Sequence, residues 1–238
     1  MRYTFVMNKS EVQDWLNENK DERGIANWKK REGKPAGMKS HGIGLTKLRK
    51  FAKSVGRDPK LAKQLWRSNH HEMKIISMLV DDPKTMTIDQ AEEQVEQLQG
   101  GYLAHVFSSC DAPLAKTTFA VELADRWTKA KDNMRRRCGY GLLYELSKDK
   151  RKSAPDDSYF LDHISAIETK HPKANVDLRM AMAGALMGMG MRTKRLNRAA
   201  LKVAKQIGPI VFDSTGKCDP FDVVKHLTSD HAKKKLGL

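Results

Sequence analysis

The residues able to do chemistry are few and mostly basic. Three consecutive arginines, Arg135, Arg136 and Arg137, open an apolar helical run from Asp132 to Leu146, in which Tyr140, Leu143 and Tyr144 recur at i, i+3, i+4. Three successive side chains on a helix fan over about 200°. At least one guanidinium therefore points along or towards the buried side. A buried guanidinium needs an anionic partner, and one held on a rigid helix suits phosphate. The alternative is a solvated charged first turn with one arginine snorkelling along apolar surface. His70, His71 and Glu72 are adjacent, but position 75 is Ile, which breaks the metal-binding HExxH pattern. No metal and no cofactor is expected. Cys110, Cys138 and Cys218 are odd in number and far apart, and they read as a reduced set.

The charge distribution says what those arginines meet. The 238-residue chain has a net charge of +15. Residues 1–125 carry 20 Lys/Arg against 17 Asp/Glu, a net of +3, and residues 126–238 carry 24 against 12, a net of +12. A basic half of this kind points to a polyanionic partner. Aromatic residues make up 7% of the chain, so packing rests on Leu, Ile, Met and Ala. No apolar run approaches the roughly 20 residues of a membrane span. The opening MRYTFVMNKS is too short and polar for a signal peptide. The expected setting is cytoplasmic, with no membrane partner and a monomer as the default.

The elements that position these residues are helical. A capping box at Ser10–Gln13 starts a helix over about 10–20, with Val12, Trp15 and Leu16 as its stripe. Residues 24–28 add one turn, and 31–44 read as a loop in which Lys34 and Lys39 are solvated or touch phosphate. Helices follow from Leu45, from Pro59 at an N1 position, from Asn69 or His70, and from Thr87 with a second capping box. Residues 102–111, 118–129, 132–146, 156–170, 176–191, 192–207 and about 220–228 continue the series. A basic tail, Lys233–Lys235, ends it. Only 2–6 and 210–212 have strand character. Helices every 15–20 residues joined by short turns predict an all-α chain, an α-solenoid of degenerate repeats with a concave face. A single helical-repeat domain is expected over 1–238, with a turn-rich C-terminal extension over 209–238.

Several landmarks, taken in order, resemble the AlkD-like DNA alkylation repair family of HEAT-like repeat glycosylases. The segment from His41 to Arg49, HGIGLTKLR, resembles the family's YGVSVPELRK. Leu65 to Ile75, LWRSNHHEMKI, is similar to its LWxSGIHEARI, and Asp81-Asp82-Pro83 to its DDP stop. Arg136 to Tyr140 is similar to its RRAG helix, and Arg179 to Met182 occupies the place of its [RK]KA[IV] helix. The resemblance covers about 10–208. It implies HEAT/ARM-like repeats in a right-handed superhelix with a concave basic face around double-stranded DNA. It also implies excision of N3- and N7-alkylated purines, an aspartate flanked by aromatics stabilising the departing sugar cation.

The catalytic pattern departs from the family's. Its SWDxxD should fall near 100–111, where this chain has no tryptophan. Without a gap, Val106 or Phe107 takes the aspartate's place. With a short gap, Asp111 does, and Phe107 lies one turn earlier. Asp111 is the catalytic candidate, with a capping or solvated aspartate before Pro113 as the alternative. Phe107, Tyr102 and Tyr140 are the cleft aromatic candidates. A second cleft tryptophan is replaced at or near Gly184. Trp15, Trp28, Trp66 and Trp127 read as core, and the methionines of 182–191 as core filling before groove lining. Arg135, Arg136, Arg137, Arg179 and Lys47 are the candidate phosphate contacts. Three functions follow: an alkylpurine DNA glycosylase, a non-catalytic relative binding damaged or branched DNA, and a scaffold for an acidic protein.

Overall fold

The computed structural model describes residues 7–30, 37–110, 112–212 and 218–238. Among these it holds fourteen α-helices. They are α1 (Lys9–Glu18), α2 (Glu22–Lys30), α3 (Leu45–Val55), α4 (Pro59–Trp66), α5 (His71–Val80), α6 (Ile88–Glu96) and α7 (Gly101–Ser108). The series continues with α8 (Ala120–Trp127), α9 (Asn133–Leu146), α10 (Asp157–Lys170), α11 (Val176–Gly190), α12 (Lys194–Ile207), α13 (Val223–Leu227) and α14 (Asp230–Leu236). The all-α expectation holds among the described residues. Ile210 makes one isolated antiparallel bridge with Phe221; the run 2–6 and Lys34 lie outside the described residues.

Three local expectations change. The capping box of α1 belongs to Asn8, not Ser10. Asn8 Oδ1 accepts from the Ser10 and Glu11 backbone N–H groups, and Glu11 returns a carboxylate to the Asn8 N–H at 2.7 Å. The turn expected at 24–28 is the nine-residue α2. The basic tail is helical: α14 is capped by Ser229, whose Oγ accepts from Ala232 N at 3.2 Å.

The chain divides into two compact units, residues 1–107 with 111–118, and residues 108–110 with 119–238. In the first, α5 packs on α3 and α4. Glu72, 1% exposed, ties the 40–43 segment to α5. Its Oε1 accepts from Ser40 Oγ at 2.6 Å and from Ile43 N at 3.3 Å, and His41 Nδ1 lies 3.5 Å from Oε2. The triplet His70-His71-Glu72 thus contributes a structural carboxylate.

In the second unit, α8 and α9 form one hairpin, α11 and α12 another, and α10 packs on α12. The helices α9 and α11 lie side by side and parallel. Arg137 meets Asp177 near their beginnings, while an added Cβ on Gly188 would meet Tyr144 and Ser147 near their ends. Leu142, Leu143, Leu178, Ala183 and Leu186 fill the core of this unit. Each fully buried Leu of that kind contributes about 1.5–3 kcal/mol.

Candidate nucleic-acid interface

The arginine triplet is fixed by the start of α9. Asp132 caps the helix, accepting from Arg135 N at 2.7 Å, which sets the arginines in its first turn. Arg135 is 22% exposed at its side chain and lies 3.9 Å from the Asp132 carboxylate. Arg136 donates back to Asn133 Oδ1, while its Nε is buried without a hydrogen-bond partner. Arg137, 24% exposed at its side chain, lies 3.4 Å from Asp177 Oδ1 at the start of α11. All three side chains are half-buried. Stems on protein and guanidinium edges in solvent is how an arginine holds phosphate without full desolvation.

The next turn of α9 goes inward. Cys138 is fully buried, and that burial pushes its thiol up to about 12, so it is a packing residue and not a nucleophile at neutral pH. Tyr140 is 1% exposed, and burial raises its hydroxyl to about 12 as well. Partly or fully exposed side chains then recur as Arg137, Tyr144 and Lys148. The Lys148 ammonium lies 4.8 Å from the Tyr144 ring centroid and 2.6 Å from Glu145 Oε2.

On α11 the matching stripe is Met180, Gly184 and Met187, all half-exposed. A Cβ on Gly184 would meet nothing within 4 Å, so this part of the face is open and flat. Met182 and Met189 are core, as expected of the methionines, whereas Met187 and Met191 are partly exposed. Arg179 turns away from the stripe. Its Nη2 donates to Pro172 O at 3.0 Å and its Nε is buried without a hydrogen-bond partner. His171 beside it is 5% exposed and held below its ordinary range, first by burial and then by the Arg179 charge. A neutral imidazole there avoids a second buried cation.

The remaining candidates lie in the first unit or outside the described residues. Lys47 is exposed on α3. Phe107 is 2% exposed and packs near Trp66, so its ring offers no face to a ligand; Tyr140 is equally enclosed. Of the three aromatic candidates, Tyr102 alone is partly exposed. Its ring is 5.4 Å from His71, which in turn is 4.5 Å from Trp28. Trp66 and Trp127 are core, but Trp15 and Trp28 are half-exposed, which corrects the reading of all four as core. Trp28 was hidden because α2 has no buried residue to mark an apolar face. Asp111 lies outside the described residues.

The model of the DNA alkylation repair enzyme family matches residues 12–211. The chain belongs to that family. No curated protein matches it significantly. Among solved structures, it is similar to one described as representing "a new family of proteins related to the HEAT-like repeat DNA glycosylases with affinity for branched DNA structures". The TM-score is 0.81 at 17% identity, over 98% of this chain and 97% of that one. The fold is therefore that of the HEAT-like helical repeats. In this DNA alkylation repair family member, α13 and α14 follow the matched region and pack into the second unit, α13 against both α11 and α12.

Proposed function

We propose that the chain binds double-helical DNA by its phosphate backbone, with the outward face of α9 and α11 as the main contact. The observation that carries this reading is the half-buried arginine triplet at one end of a parallel helix pair, beside an open surface at Gly184. Arg135, Arg136 and Arg137 supply the charge. The branched-DNA affinity of the similar solved protein fits a surface that reads backbone and shape.

Affinity for duplex DNA should fall steeply with salt, with a log–log slope of about −4 to −5 for some five phosphate contacts. Arg137→Ala should weaken binding to all sequences alike, by about tenfold, the lower end of the range expected for one charge-assisted hydrogen bond. It should also flatten the slope by about 0.9. Asp177→Ala, which releases Arg137 from its carboxylate, should act in the opposite direction. A slope near zero in fluorescence anisotropy titrations, or an Arg137→Ala protein with wild-type affinity, removes this face from the interface.

Family membership favours a second reading, an alkylpurine DNA glycosylase in which Asp111 stabilises the sugar cation as the already positive base leaves. Under it, Asp111→Asn lowers base release from N-methylated duplex by about 100-fold at matched DNA occupancy. Release that the variant leaves intact discards Asp111. Absence of release from a protein that still binds duplex leaves DNA binding as the function.

A further inference from the structure

The strongest charge pattern outside the α9–α11 face is on α12. This helix carries five Lys/Arg and no Asp/Glu. Leu196, Asn197, Ala200, Val203 and Ala204 are buried, whereas Lys194, Arg195, Arg198, Lys202 and Lys205 are all exposed. The buried side is fixed by α11 and α13: a Cβ on Gly190 would meet Ala200 Cβ at 2.9 Å, and Asn197 Nδ2 donates to Gly190 O and Leu227 O. The cations therefore face directly away from α11, on a surface distinct from the Arg137–Gly184 stripe.

A second basic element adjoins them. The end of α14 closes onto the start of α12, where a Cβ on Gly237 would lie 3.7 Å from Lys194 Nζ. Lys233, Lys234 and Lys235, all exposed in the last turn of α14, thereby extend the α12 cations. Nearby acids offset only part of this charge. Glu168 lies 3.7 Å from Lys202, Asp230 lies 3.5 Å from Lys233, and Asp156 is within electrostatic reach of Arg195.

From this juxtaposition we infer a second DNA-contacting face, formed by α12 and α14, that holds another duplex arm of a branched DNA while the α9–α11 face holds the first. The inference rests on the proposed α9–α11 contact and extends it. Charge complementarity selects the occupant. The row from Lys194 to Lys205 is about 16 Å long, close to half a turn of duplex. Within α12 it has no aromatic and no fully exposed aliphatic residue, whereas a protein partner's site would centre on such anchors. A linear duplex engages one face. A junction engages both, and the second contact is effectively intramolecular.

The test compares a four-way junction with a linear duplex of equal length for three proteins: wild type, Arg195→Gln/Arg198→Gln/Lys202→Gln, and Lys233→Gln/Lys234→Gln/Lys235→Gln. Every substituted side chain is solvent-facing, so thermal melting by circular dichroism should match wild type, and the α14 set serves if the α12 set fails to fold. Each variant should lose about tenfold in junction affinity and less than about twofold on linear duplex. For the α12 set the junction salt slope should flatten by about 2.7, at 0.9 per lost contact. Equal loss on both substrates, or no loss on either, overturns the second face while wild-type duplex binding keeps the first. A wild-type protein that binds neither DNA removes both.

Discussion

Arg192→Ala should destabilise the second unit by about 3 kcal/mol, from the loss of several charge-assisted hydrogen bonds with part-buried partners. Arg192 follows α11, and its side chain, 17% exposed, reaches across to the connection between α9 and α10. Nη1 donates to Ser147 O at 3.0 Å and to Asp149 O, and Nη2 donates to Pro155 O at 3.0 Å. The guanidinium also lies 5.0 Å from the Phe160 ring centroid and 4.0 Å from Asp157. One planar fork thus gathers both ends of a charged connection that could not otherwise bury its carbonyls. Alanine leaves those oxygens without a donor. Thermal melting should fall by roughly 10 °C, at 2–4 °C per kcal/mol for a chain of this size. Arg192→Lys should recover less than half, since an ammonium cannot span three divergent acceptors. Hydrogen exchange should show residues 147–156 opening first. A melting point for Arg192→Ala within about 1 °C of wild type would mean that water replaces the fork at no cost.

Gly141→Val should be comparably damaging, by about 3 kcal/mol, the upper range for overpacking. Helix propensity alone gives the opposite sign for Gly141→Ala, a gain of about 1 kcal/mol in a helix interior. The packing reverses it. A Cβ at Gly141 would lie 2.0 Å from Ser108 Oγ and 2.8 Å from Ser108 Cβ. The Ser109 hydroxyl, 2.9 Å away, already donates to Gly141 O at 3.3 Å. The hydroxyls can rotate, but the Ser108 Cβ cannot move without its backbone. Urea unfolding should therefore place Gly141→Ala below wild type and Gly141→Val lower still, with Ser108→Gly partly restoring Gly141→Ala as a coupled neighbour. Gly184→Ala is the control. It lies on an open face with nothing within 4 Å, so the propensity gain should appear there undiminished. If Gly141→Ala stabilised as much as Gly184→Ala, the close approach would be disproved.

Features written within a few residues are legible along the chain. The apolar stripe of α1, the proline that opens α4 and the cap at Thr87 locate helices, because periodicity and first-turn hydrogen bonds are local. The ordered landmarks from His41 to Met182 led to the family, and the charge count located the basic half. Tertiary structure decided which side of each helix stays open. Tyr102, Phe107 and Tyr140 are equivalent candidates in a string of letters. Exposure separates them: Phe107 and Tyr140 are buried, while Tyr102 is partly exposed. Arg192 looks like one more surface cation until a connection some forty residues away presents its carbonyls. The α14 lysines read as a tail until Gly237 is seen against Lys194. In each case the deciding contact joins residues far apart in the chain, and a side chain's partner across such a distance is set by how helices stack, not by its own neighbours in sequence.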